Sequence, residues 1–332
     1  MTIQQIVLAA RPKGTPAADN FRTENIELKS ITEGEILLKG LYYSVDPYMR
    51  GRMNDAKSYA APFQMDQPIS GGVVAEVIES KSSKYNAGDR VLGMLPWQEM
   101  IIAKEAAIQK IDASIAPPSY YLGVLGMPGL TAYFGLMHIC KPTAGETVVV
   151  SGAAGAVGVV VGQIAKINGC RVVGIAGSEE KTTLLKEQFG FDEAINYKTT
   201  DNIKKAIATA CPDGVDIYFD NVGGEISDAV IANINFHARI ALCGQISLYN
   251  SAEIPVGPRL QPMLLTRSVL MQGFIISNYQ QQFPEGIQYL AKYVKEGKIK
   301  FRETIVNGFN QLPHALLGLF KGENIGKMIV KA

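Results

Sequence analysis

A short β-branched strand, followed by a glycine-rich turn and a helix, constrains this chain more than any other feature. Thr147–Ser151 leads into Ser151-Gly-Ala-Ala-Gly155-Ala-Val-Gly158, and apolar helical sequence follows. Compared with G-x-G-x-x-G, Ala153 takes the first glycine position, and Gly155 and Gly158 take the other two. Such glycines let backbone approach a pyrophosphate and let the helix pack on the strand, while the helix amino end attracts an anion. The pattern predicts a dinucleotide-binding turn, with a turn needed only for packing as the alternative.

The surrounding sequence alternates between strand-like and helix-like runs. Helices are predicted at 156–167, 179–189, 201–210, 225–235 and 281–295. This alternation is typical of a doubly wound parallel sheet. The predicted strands are Thr147–Ser151, Arg171–Ala176, Glu193–Asn196, Val215–Asp220, Arg239–Leu242 and Ser268–Phe274.

Residues before this region are rich in strand signals, and the last residues return to mixed patterning. Strand candidates include Glu35–Lys39 and Gly72–Glu79, and a final strand is expected at Lys327–Val330. The predicted α/β architecture therefore has a β-rich domain of residues 1–122 and 298–332, and a Rossmann domain of residues 123–297.

Composition excludes several classes of protein. With 32 Lys and Arg against 31 Asp and Glu, the net charge is +1, which argues against nucleic-acid binding through a basic face. The four cysteines are scattered, which suits a reducing cytosol, so we expect a cytoplasmic protein.

The uncharged stretches Thr147–Ala165 and Pro117–Cys140 are long enough to span a membrane. Their β-branched run, glycines and prolines favour short buried pieces instead.

The residues after the second predicted strand bear on the choice between NAD and NADP. That strand ends in Gly174-Ile-Ala-Gly-Ser178 and has no carboxylate at its tip to bond a ribose 2′-hydroxyl. Glu179 and Glu180 fall in the first turn of a helix capped by Ser178, a common structural place for acids. Lys181 in the same turn suits a 2′-phosphate, so NADP is favoured; a solvated helix charge is the alternative.

The sequence offers few ligands for a metal. The histidines are His138, His237 and His314, and no Cys or His precedes residue 138. The β-rich domain therefore lacks a Cys/His zinc site of its own. This disfavours zinc-assisted alcohol oxidation, and we expect no metal.

Several motifs identify a resemblance to a known family. Ser44-Val-Asp-Pro-Tyr-Met-Arg50 and Tyr218-Phe-Asp-Asn-Val-Gly-Gly224 are two of them; the others are Gly152–Gly158, Cys243–Asn250 and Gly322-x-Asn324-x-Gly326-Lys327. Over essentially its whole length the chain resembles the zinc-independent prostaglandin reductase (leukotriene B4 12-hydroxydehydrogenase) group of the medium-chain dehydrogenase/reductase superfamily. Plant double-bond reductases and bacterial curcumin-type reductases belong to this group. The resemblance implies a GroES-like β-rich catalytic domain, a Rossmann NADP-binding domain and a homodimer built through the last Rossmann strand.

The resemblance also implies roles for individual residues. Gly155, Ala156, Val157 and Gly158 would lie along the pyrophosphate, and Lys181 and Tyr197 would hold the adenosine ribose and its 2′-phosphate. Tyr48 and Tyr249 would face the substrate carbonyl as catalytic residues. The remaining cofactor contacts would come from Asn221, Cys243, Gly244, Ile246, Ser247, Tyr249, the segment from Phe274 through Ile276 to Tyr279, and Asn324.

The residues alone support part of this assignment. Asn221 ends an apolar strand, where ligands of parallel sheets bind, although Asn-Val-Gly-Gly is also ordinary turn sequence. Tyr249 lies in a polar loop, a suitable place for a functional hydroxyl. Tyr48 after Pro47 could equally be a core tyrosine. Gln245 departs from the family pattern Cys-Gly-Ala-Ile-Ser and bears on substrate range.

These observations predict NADPH-dependent reduction of the C=C bond of α,β-unsaturated ketones or aldehydes. Hydride would go to the β carbon, and the Tyr249 hydroxyl, or secondarily that of Tyr48, would stabilise the enolate oxygen. The expected substrate is a small hydrophobic enone or enal. The alternatives are an NADPH:quinone reductase of the same superfamily, the oxidation of an allylic alcohol, and a non-catalytic NADPH-binding protein.

Overall fold

The fold is that of a computed structural model, which describes residues 1–253 and 255–332. Its contacts divide the chain into two compact units. Unit one comprises Met1–Gly123, Glu303–Asn324 and Met328–Ala332. Unit two comprises Val124–Arg302 and Ile325–Lys327.

The strands are numbered along the chain. Those preceding the glycine-rich turn are β1 (Thr2–Leu8), β2 (Phe21–Glu27), β3 (Glu35–Ser44), β4 (Ser70–Ser80), β5 (Arg90–Pro96), β6 (Met100–Lys104), β7 (Ile108–Lys110) and β8 (Thr147–Ser151). The later ones are β9 (Arg171–Ala176), β10 (Glu193–Asn196), β11 (Val215–Asp220), β12 (Ile234–Leu242), β13 (Leu270–Gly273), β14 (Glu303–Asn307) and β15 (Lys327–Lys331).

The α-helices are numbered in the same way. They are α1 (Met49–Arg52), α2 (Met127–Tyr133), α3 (Gly158–Ile167), α4 (Glu179–Glu187), α5 (Ile203–Ala210), α6 (Gly224–Ile231), α7 (Gln261–Thr266), α8 (Phe283–Lys295) and α9 (Leu312–Lys321). Shorter helical turns are 3₁₀ segments at Ala18–Asn20, Glu105–Ala107, Pro118–Leu122, Ile276–Gln282 and Phe309–Gln311, and a π-helical segment at Phe134–Cys140.

Unit one is built on a mainly antiparallel sheet. Its strands follow the order β14-β15-β3-β4-β5-β7, and β6 pairs with β3. Alternating apolar positions of these strands face one core. Its large buried side chains include Tyr43, Met49, Met53, Trp97, Phe309 and Leu316.

Unit two contains a six-stranded parallel sheet in the order β10-β9-β8-β11-β12-β13. In chain order this is 3-2-1-4-5-6, the Rossmann arrangement, and its topological switch point lies between β8 and β11. The central strands are apolar on both faces; Val148, Val149 and Val150 are fully buried. The β-rich first unit and this sheet confirm the predicted fold class.

The bounds of the elements also test the sequence predictions. The first four parallel strands begin and end where predicted. Strand β12 starts at Ile234 rather than Arg239, and β13 is shorter than Ser268–Phe274. The helix predicted at 225–235 is wrong at its carboxyl end, because α6 stops at Ile231 and the residues from Ile234 pair in β12. His237 has a φ of 59° within β12, an unusual conformation for a strand residue. Of the described residues, no helix is both long and apolar enough to span a membrane.

A substitution at Gly162 can test how closely α3 packs on its neighbours. A Cβ added there would lie 2.0 Å from Cζ of Phe191, whose ring is buried. We expect Gly162→Ala to lower the free energy of unfolding by about 1–3 kcal/mol through overpacking, seen as a lower Tm in circular dichroism.

Gly51→Ala is the matched control. Gly51 is also helical, in α1, and the described residues leave open space around its Cβ position. Alanine there should leave the Tm unchanged or raise it slightly. Equal Tm values for the two variants would contradict the packing argument.

Candidate functional site

The predicted site residues of unit two gather at one edge of its sheet. Strands β8, β9, β10, β11 and β12 are parallel neighbours, so their carboxyl ends share that edge. In open α/β sheets, ligands bind outside these ends at the switch point. The residues that follow each strand are therefore the ones that build the site.

The turn after β8 has the geometry that its glycines require. Gly152 has a φ of 58°, in the left-handed region. A Cβ at Gly158 would lie 2.5 Å from the Gly152 carbonyl oxygen, so only glycine lets α3 start so close to the turn. A Cβ at Gly155 would meet only the Gly152 oxygen, at 3.2 Å, so its outer side is open. The turn thus offers bare backbone beside a helix amino end that Val157, without a polar side chain, does not cap.

The late segment Ile325–Lys327 belongs to unit two and supports the same turn. The Gly326 N–H donates to the Ala154 carbonyl at 2.8 Å, and Gly326 forms a parallel bridge with Gly155. A Cβ at Gly326 would lie 1.9 Å from the Arg302 carbonyl oxygen, which explains the glycine. Asn324, predicted to contact cofactor, is the last residue of the preceding unit-one segment.

Lys181 and Tyr197 lie at the ends of neighbouring strands β9 and β10. The Lys181 N–H donates to the Ser178 hydroxyl at 3.3 Å, the helix cap expected from the sequence. The Tyr197 N–H donates to the Ala176 carbonyl at 3.1 Å. Its ring covers Gly177, where a Cβ would lie 3.0 Å from the ring. Both side chains therefore border the tip of β9.

Lys198 joins this group and was missed by the sequence argument. Burial lowers the pKa of Lys181 and the positive charge of Lys198 lowers it further, whereas the carboxylate of Glu180 raises it. Lys198 directly follows Tyr197, and a search for cations after every strand would have found it. The positive charges of two lysines in this part of the unit favour an anionic ligand.

Glu179, the first acid after β9 in the sequence, is engaged elsewhere. Glu179 accepts a hydrogen bond from the Asn196 amide at 2.7 Å and one from the Thr199 hydroxyl at 3.4 Å. Asn196 is itself buried at the end of β10. Glu179 therefore fixes the loop after β10, in agreement with its predicted structural role in the first turn of α4.

Asn221 lies at the switch point, as expected from its place at the end of β11. Its side-chain amide donates to the Ser151 carbonyl at 2.8 Å, and its backbone N–H donates to the Ser151 hydroxyl at 3.0 Å. These bonds tie the ends of β8 and β11 together beside the glycine turn.

Asp220, just before Asn221, is a fully buried carboxylate surrounded by hydrogen-bond donors. Sequence reasoning missed it, because an acid ending an apolar strand gives no sign of burial. Its oxygens accept from the hydroxyls of Ser151, Tyr218 and Ser227, the backbone N–H groups of Val222 and Gly223, and the Gln245 side chain. Such a satisfied carboxylate holds its neighbours in one arrangement.

Backbone hydrogen bonds join the loop after β12 to the residues at and just beyond the end of β11. The N–H groups of Cys243 and Gly244 donate to the Asp220 carbonyl at 2.8 and 3.0 Å. Those of Ile246 and Ser247 donate to the carbonyls of Asn221 and Val222, and the Ser247 hydroxyl donates to Val222 at 2.6 Å. Burial raises the pKa of the Cys243 thiol to about 12, so it is an unreactive neutral group.

Tyr249 lies in the same loop, and its side chain is half-buried. Its hydroxyl oxygen accepts the Gln245 backbone N–H at 3.2 Å. Burial raises the pKa of Tyr249, and the neighbouring Cys243 and Asp220 raise it further, against the hydrogen bond from Gln245. The phenol is therefore protonated at neutral pH and retains a proton to donate.

Phe274 and Ile276 follow β13. The Phe274 ring is buried against Phe219 at a centroid distance of 6.3 Å and faces Tyr279 at 6.4 Å. Tyr279 in turn stacks on Phe134 at 4.8 Å. The Phe274 and Tyr279 side chains thus belong to an aromatic cluster on one face of the sheet, and Ile276 begins the 3₁₀ segment after the strand.

Tyr48 is placed in unit one, between β3 and α1. Its ring packs on the unit-one core, and its hydroxyl is buried without a hydrogen-bond partner among the described residues. Burial, aided by Asp46, raises the pKa of Tyr48; the nearby Arg52 works in the opposite direction. A buried hydroxyl of this kind is a donor that a ligand oxygen would satisfy.

The arrangement suits an anionic dinucleotide better than a metal. Open backbone at a helix amino end accommodates phosphates, and the lysine pair adds charge at the second strand. Across residues 1–253 and 255–332, no three or more His, Cys, Asp or Glu side chains are grouped in a way that could hold a metal ion.

Comparison with known proteins gives two family matches. Residues 4–111 match a family described as the N-terminal domain of oxidoreductase. Residues 156–292 match one described as zinc-binding dehydrogenase. Together the matched segments include Tyr48, the glycine turn from Ala156 onward and Tyr249.

Individual proteins are similar over nearly the full chain. YfmJ of Bacillus subtilis, described as an NADP-dependent oxidoreductase, is 58% identical over 330 residues, covering 99% of this chain and 97% of its own. The NADP(+)-dependent 2-alkenal reductase of Nicotiana tabacum is 44% identical over 332 residues, covering 98% and 96%. The crystal structure of CurA from Vibrio vulnificus in complex with NADPH superimposes with a TM-score of 0.94 at 44% identity, covering 99% of each chain.

Proposed function

Because this chain belongs to the zinc-independent prostaglandin reductase group of the medium-chain dehydrogenase/reductase superfamily, we propose that it reduces the C=C bond of α,β-unsaturated aldehydes and ketones. It is an NADP-dependent oxidoreductase, and NADPH is its cofactor. The observation that carries the proposed reaction is the protonated Tyr249 hydroxyl at the carboxyl edge of the sheet.

The residues at that edge fit the cofactor. Gly155, Ala156, Val157 and Gly158 would face the pyrophosphate, since the turn has open backbone and an uncapped helix start. Lys181 and Tyr197, with Lys198 beside them, would hold the 2′-phosphate ribose. The nicotinamide half would lie against Asn221, Cys243, Gly244, Ile246, Ser247, Tyr249, Phe274 and Ile276, with Asn324 as a further contact.

When bound, NADPH supplies the hydride that adds to the β carbon of the substrate. Negative charge then develops on the substrate carbonyl oxygen, and a positioned O–H donor stabilises it. A proton from the tyrosine hydroxyl or from water would then add to the α carbon and complete the saturated product. Tyr249 suits this role because the Gln245 N–H occupies one lone pair of its oxygen and its own proton is left to donate. Its raised pKa keeps that proton in place at neutral pH.

Tyr48 is the second candidate for the donor. Its buried hydroxyl lacks a partner within the described part of the chain, and its raised pKa likewise keeps it protonated. An unsatisfied buried hydroxyl is costly, and a substrate oxygen would satisfy it. The aromatic side chains Tyr48, Tyr249 and Tyr279 favour a hydrophobic enone or enal.

The reaction is tested by following NADPH absorbance with trans-2-nonenal, an aryl enone and a benzoquinone, with NADH in parallel. We expect fast NADPH loss with the enal or enone and a saturated aldehyde or ketone as product. Turnover with the quinone alone would assign the protein to the quinone reductases. NADPH binding without turnover of any acceptor would make it a non-catalytic binding protein.

The two tyrosines are separated by removing one hydroxyl at a time. Tyr249→Phe should lower kcat with the enone by roughly 10²–10³, the usual effect of losing an oxyanion donor. Tyr48→Phe should have the smaller effect if Tyr249 is the main donor. Tyr293→Phe in α8, a residue with no assigned role in the site, serves as a control for removing a tyrosine hydroxyl. Unchanged kcat/KM in both Tyr249→Phe and Tyr48→Phe would defeat this mechanism.

The lysine pair is tested through the choice of cofactor. Lys181→Gln should raise the KM for NADPH roughly tenfold, on the order of 1.4 kcal/mol, and Lys198→Gln should raise it several-fold. Neither should change the KM for NADH, which lacks the 2′-phosphate. Lys186→Gln, on the exposed face of the same helix near Glu193, is the control. Equal effects on NADPH and NADH would rule out a phosphate site.

We propose a homodimer formed through β13. This strand is the last at one edge of the sheet, and an unpaired edge invites pairing with a second copy. Large apolar side chains are exposed beside it: Leu265 at 80%, Leu270 at 48% and Phe236 at 69%.

Light scattering after gel filtration tests the dimer. The parent chain should have twice the 35.9 kDa mass of one copy. Leu270→Lys should shift it toward the monomer, because a charge would be buried in the interface. Ile78→Lys, at a similarly exposed apolar position of β4, should leave the mass unchanged. A parent chain that is monomeric at micromolar concentration would refute the dimer.

We place the enzyme in the cytoplasm. All four cysteines are free thiols, and Cys140, Cys170 and Cys211 are buried. Free thiols suit a reducing compartment.

A further inference from the structure

We propose that Gln245 is a positioning residue that holds the Tyr249 hydroxyl in the orientation needed for donation to the substrate. This inference rests on the proposed function, since it assigns Tyr249 the role of donor. Two hydrogen bonds carry it: the Gln245 side chain donates to Asp220 at 3.2 Å, and its backbone N–H donates to Tyr249 at 3.2 Å. One residue thus connects a buried anchor to the candidate donor.

The anchor is rigid. Asp220 is fully buried, and its Oδ1 atom accepts from the backbone N–H groups of Val222 and Gly223 and from the Tyr218 hydroxyl. Its Oδ2 atom accepts from the Ser227 hydroxyl and from Gln245. Breaking one of these bonds would leave a buried carboxylate short of a donor, which is costly.

Gly223 provides the room that the Gln245 side chain needs. A Cβ at Gly223 would lie 2.0 Å from Oε1 of Gln245, so the amide lies directly over this glycine. Gly223 also has a φ of 71°, a conformation suited to glycine. The Gln245 side chain is therefore packed in a fixed place, and does not extend freely into solvent.

The hydrogen bond from the Gln245 backbone affects the direction of the Tyr249 phenol proton. Because the Gln245 N–H occupies one lone pair of the phenol oxygen, the Tyr249 proton is directed away from that N–H. At this position the resembling pattern Cys-Gly-Ala-Ile-Ser has alanine, which has no side-chain amide to reach Asp220. The side-chain anchor is thus a feature of this chain, and it acts on Tyr249 through the backbone of residue 245.

A double-mutant cycle tests the inference. The variants are Gln245→Ala, Tyr249→Phe and the two combined, with Gln188→Ala at the exposed end of α4 as the control. Thermal melting and NADPH binding by fluorescence first establish that each variant is folded and binds cofactor. We expect Gln245→Ala to lower kcat with the enone about five- to tenfold, with KM and the NADPH Kd within about twofold of the parent values. In the Tyr249→Phe background the same substitution should have no further effect on kcat.

The outcomes separate this inference from the proposed function. If Tyr249→Phe lowers kcat and Gln245→Ala lowers it by the same factor in both backgrounds, Gln245 does not act through Tyr249 and the inference is wrong. If Gln245→Ala leaves kcat unchanged, the inference is also wrong, while the role of Tyr249 stands. If Tyr249→Phe retains full activity, the donor assignment itself fails, and the inference fails with it.

Gln245→Glu supplies a readout that does not depend on activity. A carboxyl group facing Asp220 would have a folded-state pKa above its unfolded value of about 4.3. Below the unfolded value it is protonated and donates to Asp220 as the amide does. As pH rises through the folded-state pKa, two carboxylates repel. The Tm of this variant should therefore match the parent near pH 4 and fall below it as pH rises, together with kcat. A constant difference in Tm from the parent across pH 4–8 would show that the side chain at 245 does not contact Asp220.

Discussion

The close contact between the start of α3 and the turn after β8 is the constraint on which the rest of the site depends. With a Cβ at Gly158 only 2.5 Å from the Gly152 oxygen, any other residue would push the helix away from the sheet. The helix amino end would then leave the switch point, and its dipole and N–H groups would no longer face a bound phosphate. Gly326 reinforces this contact from a distant part of the sequence by bonding Ala154. The cofactor half of the site is thus decided by backbone packing, and few side chains take part.

The other half of the site depends on a buried charge. Asp220 gathers donors from β8, β11, α6 and the loop after β12, so elements far apart in sequence share one carboxylate. Such a group is tolerated inside a protein only when its oxygens are satisfied. The cost of disturbing any member makes the loop that carries Tyr249 well defined. A catalytic hydroxyl benefits from this, because stabilisation of developing charge requires a donor that is already in place.

Local pattern predicted the parallel sheet because its strands are short, apolar and separated by helical sequence. The bounds of β8 to β11 follow from β-branched runs ending at glycine or polar residues, and Ser178 begins α4 as its cap. The first half of β12 was missed because the predicted helix was extended to residue 235, whereas pairing with β11 makes Ile234 the start of a strand. Asp220 and Lys198 were missed for a related reason: burial of a carboxylate and proximity of two lysines arise from tertiary packing. Phe274 was predicted to end the last strand, but β13 stops at Gly273, and the direction of the Phe274 ring depends on its contacts with Phe219 and Tyr279.

The sequence after β9 contains both acids and a lysine, so by itself it is compatible with NAD or with NADP. The hydrogen bond between Asn196 and Glu179 bears on this choice. Glu179 follows the second strand closely enough to bond a ribose 2′-hydroxyl, as an acid does in NAD-binding proteins. Here Asn196, buried at the end of β10, holds the Glu179 carboxylate, and Thr199 adds a second bond. With that acid engaged, we propose that Lys181 and Lys198 supply the charge that would attract an anion near the tip of β9. A 2′-phosphate is such an anion, so the same contact that removes an NAD determinant strengthens the NADP one.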